Sequence, residues 1–298
     1  MLCNFRSIEM SRKRKCLCAF ICAFILIFSL CINASALSLE SYEVPMLLSV
    51  KCTNVPVYCN GKHMGYALER HGIFYVPVID FLEHFLGNDF TLDYSLPYSA
   101  LVLSSDKYSF YCYPEHGYIS ANGRYVPIGG LPREINGRVW FPVSSLTKLI
   151  GAELKINEDA SSVQIKYRAG SPVPSASDVY NQYDLYWLSR VIYSEAGTQP
   201  LEGMIGVGNV VLNRVACPRF PNSVYEVVFQ KNQFSVVDCG MIYREPDERS
   251  IIAAKLCLEG ADSVGDSLYF INPKLCNGSW FRNNLTFRET IGEHDFFV

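Results

Sequence analysis

A pattern written twice constrains this chain more than any other feature. Gly72-Ile73-Phe74-Tyr75-Val76-Pro77-Val78, followed by Leu82, Leu86 and Gly87, returns as Gly137-Arg138-Val139-Trp140-Phe141-Pro142-Val143, followed by Leu146, Ile150 and Gly151. A repeat of this kind means one supersecondary unit used twice. Each copy has the same local logic. A glycine turn ends, an aromatic and β-branched strand follows, and proline stops it. Apolar residues at helical spacing then make one face of a short helix. Gly87 and Gly151 fall where a helix C-cap needs positive φ. The next strand is expected at Leu101 to Leu103 in one copy and Val163 to Ile165 in the other. Asn60-Gly61, Asn122-Gly123 and Asn136-Gly137 are signals for tight hairpin turns. Together these features mark residues 46–168 as a small α+β module of strand-helix-strand repeats.

The doubled Val/Phe-Pro-Val plus Leu-Gly pattern resembles the copper amine oxidase N-terminal-like domain of exported bacterial proteins. That resemblance implies a small folding module and not an oxidase. The Asn-Tyr-Asp/Glu cofactor motif is absent, and Asn181-Gln182-Tyr183-Asp184 carries an extra residue. His63, His71, His84 and His116 show no ligand spacing and read as surface or turn residues.

The first 36 residues read as an address. Arg12-Lys13-Arg14-Lys15 precede an apolar run from Cys16 to Ile32, and Ala34-Ser35-Ala36 supplies a small-x-small cleavage site. The alternative is a retained anchor helix, so membrane contact is expected only through this segment if it stays uncleaved. Either way the rest is expected outside the cytoplasm, secreted to the cell wall or spore envelope. The net charge of -3 argues against a nucleic-acid partner, which calls for a basic patch or stripe. Of the 12 cysteines, Cys3, Cys16, Cys18, Cys22 and Cys31 lie in the address. Cys52, Cys59, Cys112, Cys217, Cys239, Cys257 and Cys276 remain. They form no Cys-x-x-Cys pair and no zinc spacing. Cys52 and Cys59 could close one small loop, but no disulfide framework is expected.

The joint, residues 169–180, contains Gly170-Ser171-Pro172-Val173-Pro174-Ser175 and reads as an extended, semi-rigid linker. Helical periodicity takes over in residues 181–298. Leu185, Leu188, Ile192 and Glu195 lie at spacings that share one helix face. A carboxylate there, near a helix C-terminus and in line with an apolar stripe, meets two opposing effects. Burial and the helix dipole both disfavour its charge and raise its pKa. Such a group suits general-acid work on a glycosidic oxygen. Periodicity alone equally allows Glu195 to curl into solvent.

The ordered strings that follow are more specific. Tyr193-Ser194-Glu195-Ala196, Val207-Gly208-Asn209-Val210-Val211-Leu212-Asn213-Arg214-Val215, Pro218-Arg219-Phe220-Pro221, Gln233-Phe234-Ser235, Leu268-Tyr269-Phe270-Ile271-Asn272-Pro273 and Ile291-Gly292-Glu293-His294-Asp295-Phe296 stand in sequence. This set resembles the catalytic domain of the SleB and CwlJ cell wall hydrolases. The resemblance implies a lysozyme-like, mostly helical domain with a small β-sheet, so the fold class expected overall is α+β. It implies lytic transglycosylase action on peptidoglycan glycan strands, typically of the spore cortex, between N-acetylmuramic acid and N-acetylglucosamine, with Glu195 as the one essential acid/base; the alternatives are an amidase or water-using muramidase of the cell wall, or a non-catalytic wall- or spore-coat-binding protein that keeps the fold. No cofactor and no metal site are expected. A regulatory wall or spore protein is an open partner. Two departures stand out: Gln199 replaces the family's second Glu, and Val236 replaces a Pro.

The remaining candidates are substrate contacts. Gln233, Phe234 and Ser235 are expected to face the cleft, where N-acetyl groups would suit them. Tyr269 and Asn272 are expected at a strand end. Asn209 could bond substrate amides or a neighbouring backbone, and Trp280 could stack on a sugar or fill the core. Glu202, behind Pro200, reads as first-turn capping. Gly203, Gly206 and Gly208 read as close helix packing. His294 reads as structural, because neither a nucleophile motif nor His-Glu-x-x-His accompanies it.

Overall fold

The computed structural model describes residues 53–95, 100–276 and 278–298. The expected export segment and Cys52 lie outside them. The described residues form one compact unit with separate front and back hydrophobic cores.

In the front part the repeat is visible as matching strand-helix pairs. Strand β3 (Ile73–Pro77) runs into helix α1 (Val78–Leu86), and β10 (Arg138–Pro142) runs into α2 (Val143–Ile150). Gly87 and Gly151 close the helices at φ 65° and 73°, the left-handed region open to glycine. Phe81, Leu82, Leu146 and Leu149 are buried in the front core.

The two copies diverge after their helices. The strands expected at 101–103 and 163–165 are β5 (Ala100–Ser104) and β12 (Val163–Lys166). Each is the second arm of a hairpin whose first arm, β4 (Thr91–Ser95) or β11 (Glu153–Ile156), carries no strong strand signal in sequence. The first hairpin opens a separate five-stranded sheet, continued by β6 (Ser109–Tyr113), β7 (Tyr118–Ala121) and β8 (Arg124–Pro127). The second hairpin joins a seven-stranded sheet of order β11-β12-β1-β2-β3-β10-β9. Here β1 (Thr53–Cys59) pairs parallel with β12, and β2 (Lys62–Arg70) and β9 (Arg133–Ile135) complete the order. All three Asn-Gly pairs turn hairpins with both residues at positive φ, as a type I′ turn requires.

Residues 169–180 do not act as a spacer. Val173 is buried in the front core, the Asn122 side chain donates to Val173 O, and Ala176–Val179 form a short helix, α3. The sequence signal of small residues and prolines was real, but Val173 and Tyr180 supply enough apolar surface to dock the segment.

In the back part, α4 (Gln182–Ala196) begins at Asn181, whose side chain accepts from the amides of Tyr183 and Asp184. It packs against α5 (Leu201–Ala216) and α8 (Glu248–Leu258). Glycine permits this approach: a Cβ on Gly208 would lie 2.6 Å from Cys257 Sγ and 2.9 Å from Ile192. Short helices α6 (Val224–Val228) and α7 (Ser235–Asp238) and a 3₁₀ turn (Met241–Tyr243) cover the bundle. A three-stranded antiparallel sheet closes it: β13 (Tyr269–Ile271), β15 (His294–Phe297) and β14 (Phe287–Ile291), with α9 (Ser279–Asn284) between β13 and β14. The six described cysteines are free.

Candidate active site

The last turn of α4 delivers Glu195 to an open cleft of about 650 Å³. Leu188 and Ile192 on the same face are fully buried, so the helix cannot roll to release the carboxylate to bulk water. Among the described residues no side chain or backbone amide hydrogen-bonds the Glu195 carboxyl, and no cation pairs with it. Burial therefore acts unopposed and pushes its pKa up to about 7. No dipole contribution is needed to reach that value. A carboxyl in this state is half protonated at neutral pH and can both give and take a proton.

The cleft's other walls come from separate elements. Gln233, Phe234 and Ser235 line it from the entry to α7, and Asn272 lines it from the end of β13. Phe234 is buried and also belongs to the back core. Ser194 lines the cleft beside Glu195 and donates to Met241 O at 3.2 Å, tying α4 to the 3₁₀ turn.

Three expected contacts lie elsewhere. Asn209 is committed to the fold: its amide donates to Ala261 O and accepts from Ser263 N–H, which fixes the loop after α8. Of its two readings, the backbone partner is the one realised. Tyr269 is not among the cleft-lining residues, and the Arg214 guanidinium lies 5.4 Å from its ring centroid. Trp280 is exposed, packs edge-on to Phe281 and also lies outside the lining, although Phe281 itself lines the cleft.

Several lining residues escaped sequence reasoning. Arg214 is buried, donates through Nε to Leu268 O, and has Phe220, Phe234 and Tyr269 rings at 5.1 to 5.4 Å. Only the Asn-Arg pair ending α5 hinted at it. His294, read as structural, lines the cleft; burial lowers its pKa and keeps it neutral. Glu293 also lines the cleft. Lys274 Nζ at 2.9 Å and the Asn272 amide at 3.3 Å hold its carboxyl below the usual range.

Gln199 has a definite place. It is buried, lines the cleft, and its Oε1 accepts from Glu293 N–H at 2.9 Å. The side chain thus pins the β14–β15 turn to the loop after α4. A neutral amide can do this without placing a second charge beside Glu293. Glu202 is exposed in the first turn of α5. Among the described residues no group of three or more His, Cys, Asp or Glu stands together as a metal site.

Within the back part, residues 198–297 match the family model described as Cell Wall Hydrolase. More particularly, the chain is similar to spore cortex-lytic enzymes. The enzyme of Oceanobacillus iheyensis is 32% identical over 127 residues, 43% of this chain and 46% of that one. The enzyme of Bacillus subtilis is 33% identical over 117 residues, 39% of this chain and 38% of that one. The chain thus matches less than half the length of these relatives. Among solved structures it is similar to the catalytic domain of the germination-specific lytic transglycosylase SleB from Bacillus anthracis. That match is 32% identical, covers 42% of this chain and 100% of that one, and has a TM-score of 0.38. The catalytic domain of Bacillus cereus SleB is 33% identical over 40% of this chain and 92% of that one, with a TM-score of 0.38.

Proposed function

We propose that this protein is an exported lytic transglycosylase that cuts peptidoglycan glycan strands between N-acetylmuramic acid and N-acetylglucosamine, with the spore cortex as target. One observation carries the reading: the unpaired Glu195 carboxyl, held near neutrality by burial in an open cleft. The similarity to spore cortex-lytic enzymes supports it. Glu195 first donates its proton to the glycosidic oxygen as the C1–O bond breaks. The C6 hydroxyl of the same muramic residue then attacks C1 and returns its proton to Glu195. The nucleophile belongs to the substrate, so proximity replaces the second carboxylate that a water-using glycosidase needs. The product carries a 1,6-anhydro ring. Gln233, Ser235 and Asn272 are the proposed partners of the N-acetyl and hydroxyl groups. The front module, with its resemblance to amine oxidase N-terminal-like domains, positions the enzyme on the wall. Residues 1–36 serve export.

A second reading keeps the bond and changes the nucleophile to water. Glu293 favours it, because an ionised carboxylate in the same cleft as a protonated one is the pattern of an acid and base pair. Product mass separates the two. Digestion of purified peptidoglycan should yield muramic ends lighter by one water than reducing ends, and Glu195→Gln should slow release at least 100-fold, the usual scale for a lost general acid. Reducing ends, lost on Glu293→Gln, would establish the water-using route instead.

A further inference from the structure

The back domain carries a cluster of exposed aromatic rings that the chemistry at Glu195 does not use. Tyr183 and Tyr186 on α4, Tyr225 on α6 and Tyr243 on the 3₁₀ turn are 57%, 44%, 38% and 63% exposed. They are not scattered. Tyr183 and Tyr225 lie 5.8 Å apart by ring centroid. Trp187, nearly buried, sits among them, 4.9 Å from Tyr186, 5.5 Å from Tyr225 and 6.2 Å from Tyr243. Phe229 backs the group, 4.5 Å from Tyr225. Arg190 lies over the Tyr186 ring at 3.6 Å and is itself fixed by Glu245 at 2.6 Å. The rings are therefore held, and each side chain has only two torsions to lose on binding. A contiguous patch of this kind on a small domain marks a binding surface.

The patch is continuous with the cleft in two ways. Tyr243 shares its single turn with Met241, which lines the cleft and accepts a hydrogen bond from Ser194. Helix α4 carries Trp187 eight residues before Glu195, a separation of about 12 Å along the axis. That is the reach of a few linked sugar rings. The chemistry also fits. The C–H faces of a pyranose carry partial positive charge and meet the negative face of an aromatic ring, while exposed tyrosine hydroxyls can bond the sugar's own hydroxyls.

From this placement we infer that Tyr183, Tyr186, Tyr225 and Tyr243 form a second carbohydrate site, a stacking platform for the glycan strand beyond the cleaved bond. It rests on the reading that this enzyme acts on glycan strands. It explains how an open cleft could stay on a polymer: the platform would hold a distant stretch of the strand while Glu195 works on a near one.

Binding is tested in full-length protein carrying Glu195→Gln, so that cleavage cannot interfere. Co-sedimentation with purified insoluble peptidoglycan sacculi is compared with and without Tyr225→Ala plus Tyr243→Ala. Sacculus affinity should fall about tenfold, roughly the loss of one to two stacking contacts. Tyr243→Phe, which keeps the ring, should retain most of it. If the double variant fails to fold, Tyr243→Ala alone gives the same comparison at the most exposed position. With Glu195 intact, the double variant should raise KM on sacculi while a tetrasaccharide too short to span both sites is cut at the wild-type rate. Unchanged sacculus affinity would overturn the platform. So would an equal loss on the tetrasaccharide, or a wild-type dimer that the substitutions convert to monomer. Should the wild type cut nothing while its sacculus binding still depends on these rings, the cleavage reading fails and the platform stands.

Discussion

The Glu195 carboxyl is set apart by what its surroundings lack. A carboxylate with an arginine or two amide donors beside it would titrate at or below its ordinary value; this one has burial alone, and its pKa rises to about 7. The sign of the pH dependence follows. Proton donation needs the neutral form, so kcat/KM should fall as pH rises through 7, by about tenfold per unit beyond it. Stability carries the same signature. Between the ordinary carboxylate value of 4.5 and about 7 the folded state binds more protons than the unfolded one, so stability falls as pH rises through that window. Glu195→Gln should therefore stabilise the fold at pH 8 by up to about 3 kcal/mol of relieved desolvation, seen as a higher Tm. The gain should vanish below pH 4, where both states are protonated. Calorimetry of the two proteins at pH 4 and pH 8 checks it; an equal difference at both would point to packing instead.

Glu195 is held in place by α4, α5 and α8, and glycine sets how closely they pack. Gly208→Ala would bring a methyl group within 2.6 Å of the Cys257 sulfur and 2.9 Å of Ile192. The expected cost of overpacking is about 1 to 3 kcal/mol, against about 1 kcal/mol gained from helix propensity. A lowered denaturation midpoint with KM little changed is the predicted result. These glycines were legible in sequence as close packing, as were the hairpin turns, the C-caps of α1 and α2, and the apolar face of α4, because each follows from local periodicity or a required φ. Strands β4 and β11 were not legible, since Thr91–Ser95 and Glu153–Ile156 owe their extension to hairpin partners. The same limit governs the site. Glu195, Gln233, Ser235 and Asn272, expected from motifs, line the cleft, whereas Arg214, Glu293 and His294 stand in the same ordered strings but nothing in local spacing shows that they reach it. Asn209 shares helical spacing with Asn213, and nothing in that spacing reveals that its amide is consumed by Ala261 and Ser263.

The front and back parts are joined by a buried charge cluster. Arg124 on β8 and Glu259 just after α8 form a two-pronged ion pair at 2.7 and 3.0 Å, both almost wholly buried. Tyr180 donates to the same carboxylate, and Lys148 to the Glu259 carbonyl. Stranding either charge should cost about 3 to 5 kcal/mol, whereas replacing both with apolar residues of similar volume should cost far less. Denaturant midpoints of Glu259→Leu, Arg124→Met and the double variant test this, and the two cores should unfold together in the wild type. The docking extends to residues 169–180, whose composition suggested an extended, semi-rigid linker; buried Val173 and Tyr180 tie it to the fold instead. The described residues thus form a braced scaffold around the Glu195 carboxyl, an acid with a raised pKa. The most direct test is to titrate that acid itself, following the carboxyl ¹³C shift of glutamate-labelled protein and assigning the signal by its loss in Glu195→Gln. The account predicts a midpoint near pH 7. A midpoint near the ordinary 4.5 would contradict it, because Glu195 would then be ionised at neutral pH and unable to protonate the leaving oxygen.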